Sequence, residues 1–234
     1  MAGIVTADIT FASNGGTAQG YVARPDDGAA HPGVIVIQEW WGLDEHIKDI
    51  TRRFANAGFV ALAPDLYHGT VVPVGEPNEA QKAMMAMDQA VVAQDLRGAM
   101  TTLSNMSDVA PKQVGVVGFC MGGFITMNVA SQAGSNIGAA VAFYPGGYNP
   151  TEQEVTAIQA PALIIYASED HSTPAEKREQ LRQWLTNNGK TFDMVIYQGR
   201  DHAFFNDTRP EVHDPADSAD AWQRATAWFT RYLK

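Results

Sequence analysis

The apolar residues of this chain fall into short runs separated by longer stretches of mixed character. Runs typical of buried strands occupy 33–37, 59–63, 114–117, 139–144, 162–166 and 192–197. The stretches between them predict helices over 43–54, 78–103, 124–130, 175–188 and 216–233. Strands that alternate with helices indicate βαβ units and a mostly parallel sheet.

The start of the chain predicts a β-hairpin. Residues 4–10 alternate loosely between apolar and polar, 13–16 form a Ser-Asn-Gly-Gly turn, and 17–23 resume a strand. The sequence contains neither a repeat nor a low-complexity linker. We therefore expect one domain, 1–234, with an α/β fold: a mostly parallel central sheet, helices on both faces and an N-terminal hairpin.

Methionines cluster in the predicted helix 78–103. Met84, Met85 and Met87 lie close together there, among alanines and glutamines. Methionine fills irregular gaps in protein cores, so we expect these three side chains to pack in the interior.

Composition restricts the class of protein. The 234 residues are 45% hydrophobic and 18% charged, as in an ordinary globule, and the net charge of -10 argues against a nucleic-acid partner. One cysteine cannot form an internal disulfide, which fits a reducing compartment or a catalytic thiol. Residues 1–8 lack the features of a signal peptide, and the chain has no apolar run of bilayer length. We expect a cytoplasmic protein without a membrane partner.

The single cysteine stands between a predicted strand and a predicted helix. Cys120 is the centre of Gly-Phe-Cys-Met-Gly-Gly, residues 118–123. In α/β-hydrolases the sequence G-x-S-x-G forms such a turn, called the nucleophile elbow, with the nucleophile at its centre. The strand and the helix come so close there that a Cβ at Gly118 or Gly122 would have no space. The helix N-terminus favours a thiolate and an oxyanion. A buried structural cysteine is the alternative.

A base and an acid follow Cys120 in the order that this elbow requires. His202 comes directly after the predicted strand 192–197, and Asp170 comes after the strand 162–166. Asp170 would fix the tautomer of the imidazole and stabilise its charged form. Glu169 is the competing acid, and both acids could instead simply solvate a turn.

A further acid follows the strand 33–37. Glu39 lies where this class of fold places the second oxyanion donor, so we predict that the backbone N–H groups of Trp40 and Met121 form an oxyanion hole. A carboxylate beside Cys120 opposes thiolate formation unless it takes the proton itself. A solvated acid that caps the next helix is the alternative for Glu39.

Taken together, these motifs resemble the dienelactone hydrolase family over nearly the whole chain. The resemblance is carried by Gln38-Glu39, Pro64-Asp65-Leu66-Tyr67, the cysteine elbow at 118–123, Asp170 and His202. It implies an α/β-hydrolase fold that needs neither a metal ion nor an organic cofactor. It also implies a triad of Cys120, Asp170 and His202, with Glu39 hydrogen-bonding the cysteine and taking its proton when substrate binds.

The resemblance is weaker on the substrate side. The dienelactone-cleaving members hold a substrate carboxylate with two arginines; one would fall at Asn206, and the helical stretch after residue 67 offers only Lys82. Arg200 and Arg209 in the histidine loop are further candidates. We expect the aromatic residues Trp41, Tyr144 and Phe204 to line the pocket. The polar residues Asn206 and Lys82 are expected to complete it.

These features predict a hydrolase of carboxylic esters or lactones, acting on a small molecule through a thioester of Cys120. One alternative is a redox-sensing thiol protein without hydrolytic activity. Another is a thioesterase or peptidase that uses the same triad. A monomer or a homodimer is expected.

Overall fold

The computed structural model describes residues 3–132 and 137–234. The chain divides into two compact units, residues 1–114 with residue 234, and residues 115–233. That the whole chain forms a single domain stays a prediction.

The first unit contains the N-terminal hairpin and two parallel strands. Within it the strands follow the order β1-β2-β4-β3; β1 pairs with β2 and β2 with β4 in antiparallel fashion, and β3 pairs with β4 in parallel. Asn14 and Gly15 form the two-residue hairpin turn, both with positive φ (48° and 72°), as such a tight turn requires. Its elements are β1 Ile4–Ser13, β2 Gly16–Pro25, β3 Gly33–Ile37, α1 Glu45–Asn56, β4 Val60–Pro64, α2 Pro77–Ala86 and α3 Gln89–Asn105.

The second unit is built from four strands, each followed by a helix. Its strand order is β5-β6-β7-β8, with β6, β7 and β8 paired in parallel. The mostly parallel α/β architecture with an N-terminal hairpin is thereby confirmed. The elements are β5 Val114–Phe119, α4 Met121–Ser131, β6 Ile137–Phe143, α5 Glu152–Ala157, β7 Ala162–Ala167, α6 Ala175–Asn187, β8 Phe192–Tyr197 and α7 Pro215–Tyr232. The first residue of β5, Val114, is counted with the first unit.

Apolar strands form the core of the second unit. Every residue of β7 is buried, and Ile164 and Tyr166 pack with Leu181 and Leu185 of α6. Burial of this kind stabilises a fold by about 25 cal/mol per Å² of apolar surface. Cys120, Asp170 and His202 lie in the segments that follow β5, β7 and β8.

Some predicted elements differ from the observed ones. The predicted helix 78–103 is two helices, because α2 ends before Met87 and α3 begins after Asp88, whose carboxylate accepts the N–H groups of Ala90 and Val91. Leu43 lies outside α1, which begins after the N-cap Asp44. The short helix α5 was not predicted.

The expected core packing of the three methionines is wrong for Met85, whose surface is 76% exposed. Met84 and Met87 are half-buried. Met85 is exposed because α2 lies at the surface, where Ala80 is its one buried residue.

Among the described residues, no helix combines the length and the apolar character needed to cross a bilayer. The cytoplasmic location stays a prediction.

Candidate active site

Cys120 stands at the turn that joins β5 to α4, with a strained backbone. Its φ of 56° and ψ of -116° lie outside the regions that side chains with a Cβ ordinarily occupy. Its N–H donates to the carbonyl of Phe143 at the end of β6, 3.1 Å away, and its own carbonyl accepts the N–H of Phe124 at 3.1 Å. These bonds hold the turn in place, and the half-buried thiol remains accessible.

Two glycines allow this turn. A Cβ at Gly118 would overlap the carbonyl of Gly122 and lie 2.6 Å from Oγ1 of Thr126. A Cβ at Gly123 would lie 2.5 Å from the carbonyl oxygen of Phe143. The glycine pattern around Cys120 therefore reflects close backbone contact at the elbow.

Asp170 and His202 meet across the loops that follow β7 and β8. Nδ1 of His202 lies 2.6 Å from Oδ2 of Asp170, and the N–H of Ser172 donates to Oδ1 of the same carboxylate at 2.8 Å. The exposed Glu169 instead accepts the hydroxyl of Ser168 at 2.8 Å. The imidazole is therefore held by Asp170 and not by Glu169.

His202 also contacts the cysteine. Burial lowers the pKa of His202, but the charge of Cys120 and hydrogen bonds to Asp170 and Cys120 outweigh it and raise this pKa to about 10. Burial similarly acts to raise the pKa of Asp170, yet the hydrogen bond and charge of His202 and the bonds from Ser172 bring it below its ordinary value. The electrostatics of the site favour an imidazolium placed between a sulfur atom and a carboxylate.

The loop after β6 packs beside His202. The ring of Tyr144, whose φ is 35°, meets the imidazole edge-on at 5.0 Å between centroids. A Cβ at Gly146 would lie 3.2 Å from Oγ of Ser172 and 3.4 Å from Cε1 of His202. Gly147 donates its N–H to the carbonyl of Ser172 at 3.1 Å. Ser172 and Gly146 were missed by sequence reasoning; the Tyr-Pro-Gly-Gly run at the end of a strand was the available signal.

The acid loop and the histidine loop are tied to each other. Ser168 donates its N–H to the carbonyl of Tyr197 at 2.9 Å and accepts the N–H of Gly199 on its hydroxyl at 2.8 Å. Glu169 donates its N–H to the carbonyl of Arg200 at 2.9 Å. These bonds fix the spacing of Asp170 and His202 independently of their own hydrogen bond.

Several expected pocket residues lie in the interior. Tyr144, Phe204 and Asn206 are fully buried, and Oδ1 of Asn206 accepts the hydroxyl of Thr208 at 2.6 Å. The two arginines of the histidine loop bind local acids: Arg200 pairs with Asp214 and Asp217, and Arg209 pairs with Glu211. These groups offer no open cationic subsite.

The remaining candidates, apart from Met121, belong to the first unit. Glu39, two residues after the end of β3, is buried. Burial raises the pKa of Asp44 and the charge of Glu39 raises it further, whereas the hydrogen bond from Ile47 and the charge of His46 act to lower it. Trp40 is half-buried and meets Trp41 edge-on at 5.2 Å between ring centroids, while Trp41 packs against Val72 and Ala80. Lys82 is 72% exposed in its side chain and pairs with Glu79 at 2.6 Å. The roles of these residues stay predictions, as does that of the Met121 N–H at the first residue of α4.

Among residues 3–132 and 137–234, no group of three or more His, Cys, Asp or Glu side chains is placed to hold a metal ion.

The fold and the cysteine elbow are those of an α/β-hydrolase. Within that class, the model of the dienelactone hydrolase family matches residues 18–233. The chain belongs to the dienelactone hydrolase family, and the family identifies it as a hydrolase.

Relatives from other organisms cover nearly the whole chain. It is 36% identical to Protein usf of Aquifex pyrophilus over 231 residues, which cover 96% of this chain and 98% of that protein. It is 32% identical to the Aquifex aeolicus protein named "Putative carboxymethylenebutenolidase", with 97% and 98% covered. The crystal structure of "Putative Dienelactone Hydrolase" from Klebsiella pneumoniae superposes with a TM-score of 0.86 at 31% identity, with 98% of this chain and 100% of that chain covered.

Proposed function

We propose that this protein hydrolyses carboxylic esters or lactones with Cys120 as the nucleophile. The observation that carries the proposal is the hydrogen-bonded series of Cys120, His202 and Asp170, with 2.6 Å between Nδ1 and Oδ2. Hydrolysis through a nucleophilic side chain needs a neighbouring residue, here His202, that can donate and accept a proton. Membership of a hydrolase family agrees with this chemistry and implies a small-molecule substrate.

In the acylation step, the sulfur of Cys120 attacks the acyl carbon and the carbon–oxygen bond to the alcohol breaks. The raised pKa of His202 keeps its imidazole protonated at neutral pH, so it can supply the proton that the departing alkoxide requires. In a lactone the same proton goes to the ring oxygen that is released. The products are a free or tethered alcohol and a thioester on Cys120.

In the deacylation step, the neutral His202 removes a proton from water. The resulting hydroxide attacks the thioester, the carbon–sulfur bond breaks, and the carboxylic acid leaves. The sulfur and the imidazolium return to their starting states. Asp170 holds the imidazole in the required tautomer throughout, because its carboxylate accepts the Nδ1 hydrogen.

Three further roles rest on the sequence and the family resemblance. Glu39 is proposed to take the thiol proton when substrate binds, which leaves Cys120 as the thiolate whose charge raises the pKa of His202, and to return that proton to the sulfur after deacylation. The backbone N–H groups of Trp40 and Met121 are proposed to stabilise the tetrahedral oxyanion, and each such donor is typically worth about 3 kcal/mol in the transition state.

The test is turnover of p-nitrophenyl acetate and of a lactone panel, with intact-protein mass spectrometry of the acyl adduct. Cys120→Ala should abolish both turnover and adduct, and Cys120→Ser should turn over much more slowly. His202→Gln should stop turnover, whereas the matched His213→Gln should leave it unchanged. Unchanged esterase activity in Cys120→Ala would refute the assignment. Rapid sulfinic acid formation with peroxide, without acyl turnover, would instead establish a redox-sensing thiol.

A further inference from the structure

The histidine loop contains a strained residue beside His202. Ala203 is buried and has a φ of 66°, in the left-handed region that residues with a Cβ rarely adopt. Gly199, near the start of the loop, has a similar φ of 68°, but a glycine adopts this conformation freely. Strain of this kind persists only where the surrounding structure holds it. Contacts from outside the loop must therefore keep Ala203, and with it His202, in place.

Two residues after His202, a backbone carbonyl is bound by the start of α7. The carbonyl oxygen of Phe204 accepts the hydroxyl of Ser218 at 3.0 Å and the N–H of Asp214, the N-cap of α7, at 3.1 Å. Phe204 is fully buried and Ser218 is 8% exposed. A buried carbonyl that loses a donor carries a desolvation cost, so these two bonds hold the backbone at Phe204.

The ring of Phe204 extends this contact to the imidazole. It meets the ring of Tyr144 edge-on at 5.8 Å between centroids, and Tyr144 meets the imidazole of His202 edge-on at 5.0 Å. A fixed Phe204 therefore restrains His202 through the backbone and also through packed rings.

Two residues before His202, a side chain is bound by the same part of α7. Nε of Arg200 lies 2.5 Å from Oδ2 of Asp217, and its Nη2 lies 2.9 Å from Oδ2 of Asp214. The carboxylate of Asp214 also accepts the N–H of Asp217 at 2.9 Å. Charges joined in a network contribute more than a single exposed pair. The start of α7 thus holds the histidine loop on both sides of the imidazole.

We propose that Ser218 and Arg200 are positioning residues for His202, which they hold where it meets Asp170 and Cys120. The proposal rests on the proposed function, since a reaction at Cys120 is what makes the placement of the imidazole matter. Both residues act through the backbone of the histidine loop and not through contact with substrate. A displacement of about 1 Å caused by a change far from the chemistry can cost roughly 100-fold in rate, so contacts at this distance influence turnover.

The first test is steady-state kinetics with p-nitrophenyl acetate. Ser218→Ala should lower kcat about fivefold with KM unchanged, because one hydrogen bond that holds the loop is lost. Arg200→Met should lower kcat about threefold, since its ion pairs are partly exposed. Two matched controls should keep the parent rate: Thr226→Val, which removes a hydroxyl that donates to the carbonyl of Trp222 farther along α7, and Arg231→Met in the last turn.

The second test observes the imidazole without turnover. In protein labelled with ¹⁵N-histidine, the Nδ1–H of His202, hydrogen-bonded to Asp170, should give a strongly downfield proton signal that His202→Gln removes. Ser218→Ala and Arg200→Met should shift or broaden this signal, and Thr226→Val should leave it unchanged. A mere loss of stability would lower the urea midpoint without moving the signal of the folded protein.

Parent kcat together with an unchanged Nδ1–H signal in Ser218→Ala would overturn the role of Ser218, and the same result in Arg200→Met would overturn that of Arg200. A slower rate that arises from a raised KM alone would also overturn the proposal, because it would place these residues against the substrate. A parent protein without esterase turnover would instead refute the proposed function, while the NMR signal would still report whether α7 positions His202. The two failures are therefore distinguishable.

Discussion

Nη1 of Arg178 donates to the carbonyl of Ala167, the last residue of β7, at 2.6 Å. Nη2 lies 3.4 Å from the next carbonyl, that of Ser168, and the guanidinium stands over the ring of Tyr166 at 5.8 Å from its centroid. Arg178 is buried, so α6 anchors the point at which the acid loop leaves the sheet.

Arg178→Met should lower the free energy of unfolding by about 2–4 kcal/mol, because it leaves buried carbonyls without their donor. Urea unfolding measures this loss. The matched Arg182→Met, on the same helix and in an exposed pair with Glu179, should cost no more than about 0.5 kcal/mol. If both variants are as stable as the parent protein, Arg178 does not anchor the loop.

Asp170→Asn should reduce kcat by ~10³- to 10⁴-fold with little change in fold, because an amide no longer selects the required imidazole tautomer. Glu169→Gln is the matched control and should stay within about twofold of the parent rate, since a typical exposed pair contributes little. Steady-state kinetics with an aryl ester decides between the two acids. The opposite ranking would assign the orienting role to Glu169.

The stability that His202 contributes should depend on pH. Its pKa is raised from ~6.5 in the unfolded chain to about 10, so this contribution is fully present below pH ~6.5 and is lost as the pH rises to about 10. The difference in unfolding free energy between the parent protein and His202→Gln should shrink over that window. In Cys120→Ala, NMR titration of the His202 Cε1–H should give a lower pKa, because the charge of the sulfur is removed. A midpoint unchanged by this substitution would contradict the described coupling.

Gly118→Ala should lower the free energy of unfolding by about 3 kcal/mol or more, since the new methyl group meets the Gly122 carbonyl. Gly16→Ala is the control: its Cβ would have the carbonyl oxygen of Ser13 as its nearest atom, at 3.8 Å, so the change should stay within about 0.5 kcal/mol. Chemical denaturation compares the two. Equal stabilities would mean that the elbow can relax around a side chain.

The strands could be predicted from sequence because buried apolar runs are local signals. The break between α2 and α3 was harder, since Met87 and Asp88 interrupt a run of good helix formers without glycine or proline. Asp88 was the available signal, as its carboxylate caps α3 at 2.8 Å from the N–H of Ala90. The capping box of Thr151 and Glu154 marked α5 in the same way.

The positions of Cys120, Asp170 and His202 could be predicted because each follows the end of an apolar strand. The lining of a substrate pocket could not. Whether Phe204 and Asn206 face a ligand or the interior depends on packing between elements distant in sequence, and both are fully buried. The Arg178 anchor likewise depends on a contact between α6 and β7 that has no local signature.

The left-handed backbone of Cys120 has a consequence for evolution of the chain. Such a conformation costs on the order of 1–3 kcal/mol in any residue that carries a Cβ, and glycine adopts it freely. A glycine at position 120 would relieve that strain and at the same time remove the sulfur. A cysteine at this turn therefore costs stability, and under the proposed function selection for its reactivity offsets that cost.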